Sequence, residues 1–289
     1  MIHPRQQWCI QVEVTNACPR SCSNCTRCLP HAREPFFMDV DTFAACCDAV
    51  ADFPRLGEPG PNMNNGGNKV IGMMGGEPTM HPDFERLCRI MREKIPHKIN
   101  RGLWTGWREG HARHLATIHE TFGPASNYNF HEPPSVHQPI LVGIQELFPD
   151  RPELMWQLID GCWMQRIWSS SITRKGFFFC EVAAALDEIF DGPGGVPIGP
   201  DCWRHDIDYY RDQVERWCPM CGCAAPLPGR MDNEGVDDIS PGNLLRLRQL
   251  RSPRVAAGDY REFDVARYDP DKYATGWMPN IYRSEQRNP

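Results

Sequence analysis

An α/β fold built on parallel strands is predicted for this chain of 289 residues. Three observations carry that expectation. Short β-branched runs alternate with segments of helical period. Stretches rich in Gly, Pro and Asn separate them. The residues that bear chemistry stand directly after the predicted strands. Strand, loop and helix in repeated succession imply parallel strands with helical crossovers. Such folds present their ligands at the carboxyl edge of the sheet.

Trp8 to Val14 alternates and is β-branched, so it reads as the first strand. Asp39 to Phe53 carries apolar residues at helical spacing, with Asp41 as the expected N-cap. A loop from Pro54 to Asn68 leads to a buried strand, Lys69 to Met74. Pro82 to Ile95 reads as a helix with proline in its first turn. Lys98 to Thr105 follows as a strand and Glu109 to Phe122 as a helix. The stretch from Ala125 to Pro152 has no period of its own. Ile167 to Cys180 reads as a hairpin turning at Thr173 to Gly176. Glu181 to Phe190 is a helix stopped by Asp191-Gly-Pro-Gly-Gly195. A further helical stretch covers Asp206 to Trp217, and Ser240 caps a helix reaching Leu250, after which the tail looks loosely structured.

The formal charge of −6 disfavours a dedicated duplex-DNA binder. Arg246, Arg248, Arg251 and Arg254 read as a solvated helix face. No apolar run approaches the ~20 residues that span a bilayer, and the amino-terminal residues carry no signal-peptide pattern. A soluble, cytoplasmic protein is the expectation. Fourteen cysteines at short spacings, in a chain of this length, point to metal binding in a reducing compartment rather than to disulfides.

Cys18, Cys22 and Cys25 are the most informative of them, separated by three residues and then two. Thiolates hold the irons of iron–sulfur clusters. Three thiolates on a four-iron cluster leave one iron with an open position, by the logic that separates open from closed zinc sites. A second motif, Gly75-Gly76-Glu77-Pro78, ends the strand before it.

The two motifs together, in this order, resemble the radical S-adenosylmethionine (SAM) superfamily. The resemblance implies a partial (β/α)6 barrel over residues 1–160. It implies a [4Fe-4S] cluster on Cys18, Cys22 and Cys25, and SAM bound beside Gly75, Gly76, Glu77 and Pro78. Many members place an aromatic residue near the adenine just before the third cysteine, where this chain has Asn24. Cys162, Cys180, Cys218 and Cys221 resemble the ligands of a twitch or shortened SPASM extension, implying an auxiliary [4Fe-4S] cluster in residues 161–251 and a tail over 252–289. Structural zinc on the same four thiols is the rival. Cys223 could replace Cys221, and Cys202 is a weaker substitute for Cys162. Cys9, Cys46, Cys47 and Cys88 read as small core residues, and Cys28 as a bystander to the first loop.

For the reaction, the resemblance implies reductive cleavage of SAM to a 5′-deoxyadenosyl radical that takes hydrogen from a substrate, with flavodoxin or ferredoxin as electron donor. Oxidation, epimerisation and rearrangement are all open, and an auxiliary cluster favours oxidation. The expected substrate is a small polar molecule such as a sugar, aminocyclitol or nucleoside-like compound. The first strand begins so near Met1 that a leader-binding domain is not expected. A peptide or a modified nucleic-acid base is the alternative, and a non-enzymatic metal-binding protein the second. Asn127, Asn129, His131 and His137 are candidate pocket residues, as are Ser169, Ser170, Ser171 and Glu13. No general base is named.

Overall fold

A computed structural model describes residues 1–60, 65–167, 169–270 and 272. Its strands are β1 (Cys9–Glu13), β2 (Val70–Met74), β3 (Arg101–Thr105), β4 (Asn127–Tyr128), β5 (Val136–His137), β6 (Ser169–Thr173), β7 (Gly176–Phe178), β8 (Arg230–Met231), β9 (Asp237–Ile239) and β10 (Tyr260–Glu262). Six of them form one sheet in the order β4-β3-β2-β1-β6-β7. The first five of that order pair in parallel, and β7 runs antiparallel to β6. The expected parallel α/β core is thus present as an open, mostly parallel sheet with β4 and β7 at its edges.

β1 sits at the centre, in register with β2 from Cys9 opposite Val70 and with β6 from Cys9 opposite Ser169. It is buried on both faces, as parallel strands covered by helices are. Ile10 and Val12 share a core with Phe43, Cys46, Cys47 and Val50 of the helix Val40–Val50. On the other face Trp8, Cys9 and Val70 pack against Trp104. Gly72 makes room there, because a Cβ on it would come within 2.1 Å of the Trp104 ring.

The helix Val40–Val50 is capped by Asp39, not by the expected Asp41. Asp39 keeps an extended backbone and accepts the Thr42 N–H at 2.8 Å, whereas Asp41 already lies within the first turn. An N-cap side chain satisfies an otherwise unpaired N–H. Asp39→Ala is therefore expected to lower the melting temperature, and more than Asp41→Ala does. Equal effects would contradict the cap assignment.

The expected hairpin over 167–180 is present as β6 and β7, turning at Arg174 and Lys175, with Gly176 at the start of β7 at φ +117°. It does not start a separate sheet, since β6 pairs with β1. The division expected at residue 160 therefore falls within one sheet. Trp203 reinforces this continuity. It is fully buried, meets Phe53 edge-on at 5.2 Å, and its indole N–H donates to the Ala49 carbonyl at 3.2 Å. The helix expected over 109–122 is two pieces, Arg108–Arg113 and Leu115–Thr121.

Of the tail expected over 252–289, residues 271 and 273–289 lie outside the described residues, and the rest contains regular structure. Pro253–Ala256 is helical, and β10 pairs in parallel with β9. Arg254 is not on a solvated face. It is buried, with its Nε 3.0 Å from the Asp237 carboxylate. Among the described residues no helix is long and apolar enough to cross a membrane.

Candidate metal and cofactor site

β1 and β2 end side by side, so the loops that follow them leave the sheet together. Val14 donates its N–H to the Met74 carbonyl at 2.8 Å, Gly76 to Thr15 at 2.6 Å and Glu77 to Ala17 at 2.8 Å. These bonds lay the Gly75–Glu77 segment along the start of the cysteine loop. The glycines are what let the backbones approach. A Cβ on Gly75 would stand 2.1 Å from the Thr15 carbonyl oxygen, and one on Gly76 2.2 Å from that of Ala17. Forced overpacking of this kind costs ~1–3 kcal/mol. Gly76→Ala is expected to push the two loops apart, lowering stability by about that much and impairing metal uptake at Cys18, Cys22 and Cys25. Wild-type melting and metal content in this variant would show the contact to be dispensable.

Glu77 is buried, and its carboxylate is fully engaged. One oxygen accepts from the Thr79 N–H at 3.1 Å, the Thr79 hydroxyl at 2.5 Å and the Thr105 hydroxyl at 2.7 Å; the other accepts the Gly106 N–H at 2.9 Å. It binds the end of β2 to the end of β3. Pro78 opens the short turn Pro78–Met80 and does not line the cavity.

A cavity of about 230 Å³ opens at this edge. Cys18, Cys22, Cys25, Gly75, Gly76 and Glu77 all line it. Asn127, Asn129, His131 and His137 line it as well. His131 Nδ1 faces the Asp232 carboxylate, burial lowers the pKa of its ring, and its ligand atom and those of Asp232 and Cys22 lie within 4.8 Å of one another. His137 donates a ring N–H to the Ser23 carbonyl at 2.8 Å. Arg27 and Glu181 also reach the cavity. Arg27 is buried, ion-paired to Glu13, and donates to the Glu181 carbonyl.

Burial pushes the Cys18 thiol up to about 11 and that of Cys25 up to about 12, and raises Cys22 as well. Nearby thiols add to the effect at Cys18 and Cys25. Three thiols so placed become thiolates when a cation shares the site.

Other residues expected at the site lie elsewhere. Asn24 does not line the cavity; it is buried with both amide atoms engaged by Asp238. The serines of β6 are buried within the fold. Ser169 donates to Glu181 at 2.9 Å, Ser170 bonds Gln7, and Ser171 has no partner among the described residues. Cys28 is buried in a left-handed conformation and does not line this cavity.

A second thiol cluster forms where Cys162, Cys180, Cys218 and Cys221 converge with Cys223 around a small cavity of about 20 Å³. Cys162 precedes the helix Trp163–Ile167, Cys180 follows β7, and the other three belong to the knuckle after the helix Arg211–Trp217. Burial raises the Cys162 thiol to about 12 and pushes Cys180 and Cys218 up. Cys221 is lowered instead, because the Cys223 thiol hydrogen-bonds its sulfur. The Cys223 N–H donates to the same sulfur at 3.4 Å. The site thus holds five thiols, one more than expected. The sequence signal for the fifth was the run Cys221-Gly-Cys223 itself. Cys202 is not part of this cluster; it lies beside Trp203, and its carbonyl accepts the Tyr210 hydroxyl at 2.8 Å.

The fold and site define a thiol-lined cavity at the carboxyl edge of a mostly parallel α/β sheet, with a second thiol cluster in the same chain. No family model matches the sequence, and no curated protein matches it. Among solved structures the chain is similar to BtrN in complex with AdoMet and 2-DOIA, at 15% identity and a TM-score of 0.43, over 74% of this chain and 92% of that one.

Proposed function

We propose that this chain is a radical SAM enzyme that acts on a small polar molecule. The observation that carries the reading is the convergence of Cys18, Cys22 and Cys25 with Gly75, Gly76 and Glu77 on one cavity. The donor chemistry fits a four-iron cluster held by three thiolates, since thiolates are the protein ligands such clusters take. When bound, that cluster and SAM supply the electron and the hydrogen-abstracting radical.

The chain's own residues do the rest. Cys18, Cys22 and Cys25 hold the cluster from one loop. The Gly75–Glu77 segment, pinned to that loop by the Thr15 and Ala17 carbonyls, offers its backbone edge to the amino group of SAM. Glu77 fixes the edge to β3 through Thr105 and Gly106. Asn127, Asn129, His131 and His137 give the cavity hydrogen-bonding groups suited to hydroxyl or amino substituents. A net charge of −6 favours a small molecule over a polymeric nucleic acid.

The second thiol cluster supports an auxiliary [4Fe-4S] cluster, and with it an oxidation in which the substrate gives up a second electron. Closed four-thiolate coordination suits a structural or electron-relaying role. A flavodoxin or ferredoxin would deliver the first electron.

Anaerobically reconstituted protein is expected to carry about eight irons and eight sulfides, as two four-iron clusters require. On reduction it is expected to convert SAM to methionine and 5′-deoxyadenosine. Stoichiometric zinc, with SAM left intact, would overturn the reading.

A further inference from the structure

Ser23 and Asn24 make the turn between Cys22 and Cys25, and Asn24 is in the left-handed region at φ +49°. Asn adopts this region more readily than most residues with a side chain, and here its surroundings hold it there. The support comes from more than 200 residues further along the chain. Ser23 donates its N–H to the Asp232 carbonyl at 2.8 Å, and its hydroxyl accepts the Val236 N–H at 3.1 Å. The Asn24 N–H is donated to Asp237. The Asn24 side chain pairs with Asp238 in both directions: its amide donates to the carboxylate at 3.1 Å, and its oxygen accepts the Asp238 N–H at 2.9 Å.

The acceptors are themselves held. The other Asp237 oxygen lies 3.0 Å from both His31 Nε2 and Arg254 Nε. Arg254 also donates to the Ser21 hydroxyl at 2.7 Å. Asp238 is gripped by Arg230 through two bonds, at 2.8 and 2.6 Å. Asn24, Asp237, Asp238, His31 and Arg254 are all buried. Both carboxylate oxygens of Asp237 and Asp238 and both amide atoms of Asn24 have partners, while Arg254 Nη2 has none among the described residues; a buried network so bonded favours one geometry.

We propose that Asn24 is a positioning residue. With Asp237 and Asp238 it forms a latch through which β9 holds the Cys22–Cys25 turn, and so sets how the three thiols face the cavity; it makes no contact with the base of a cofactor. The latch rests on the functional reading only in taking the metal at these thiols to be a four-iron cluster.

The test is a charge exchange in the reconstituted full chain. Asn24→Asp sets a carboxylate against Asp237 and Asp238 and removes the donated amide. It is expected to lose the iron of the first site, about half of the total for two four-iron clusters, while keeping the second. Adding Asp238→Asn to that variant restores a donor across the pair with the polarity reversed, at the loss of one of the two Arg230 bonds, and is expected to return part of the iron. Amide hydrogen exchange supplies a readout independent of iron. The Ser23 and Asn24 N–H groups should exchange faster in Asn24→Asp and slow again in the double variant. If Asn24→Asp does not fold, Asn24→Ala removes both side-chain bonds to Asp238 without adding charge and is read by the same exchange. Full iron with weakened SAM binding in Asn24→Asp would assign residue 24 to the base and overturn the latch, as would unchanged exchange. If wild type and Cys22→Ala bind equal iron, the functional reading fails while the exchange data still decide the latch.

Discussion

Cys22→Ala is expected to abolish 5′-deoxyadenosine production from SAM under reducing conditions. Cys22 lines the cavity with Cys18 and Cys25, and all three are half-buried. Removing one thiolate leaves two protein ligands for the cluster. Losing an outer-shell partner of a metal site costs roughly 10–100-fold in affinity or activity, so losing a ligand is expected to exceed that range. Cys28→Ala is the matching control. Cys28 stands three residues past Cys25 but does not line the cavity of the three thiols, so SAM cleavage should continue. Undiminished cleavage in Cys22→Ala, or loss of cleavage only in Cys28→Ala, would refute the three-thiol assignment.

The second large effect is expected at Cys180. It is buried among Cys162, Cys218 and Cys221, and the helix Glu181–Ile189 starts directly after it. Cys180→Ala is expected to remove about half of the iron held by two four-iron clusters, with the first site retained. Stability should fall as well, because metal bound only by the folded chain contributes its binding free energy to folding. Trp217, Leu186 and Ala183 pack around this cavity, so a lower melting temperature is expected with the metal loss. Unchanged iron would remove the auxiliary cluster from the reading; loss of zinc in its place would identify a structural zinc. Cys223→Ala separates the five thiols further. Its backbone N–H still reaches Cys221, so metal content should hold if Cys221 is the ligand and drop if Cys223 is.

Much of the fold was legible because it is local. β1, β2 and the hairpin show in alternation, β-branching and turn residues. The helix Phe84–Lys94 shows in its apolar period. Errors came where two local readings competed. Asp39 and Asp41 are both good caps, and the choice between them depends on which backbone is still extended. The basic run ending in Arg254 has a helical period, but a buried Asp237 takes its last member out of solvent.

The sequence by itself determined the donors. Cysteines three and four positions apart must lie on one loop, and adjacent glycines after a buried strand permit a close approach of backbones, because both follow from chain geometry over a few residues. Tertiary structure alone decided what the loop leans on. The Asn24–Asp238 pair spans 214 positions, β6 joins β1 across more than 150 residues, and Cys223 completes a five-thiol cluster with Cys162 and Cys180. Contacts at such separations leave no mark on local periodicity. They are selected by which buried polar groups and faces find partners once the chain has packed around the sheet.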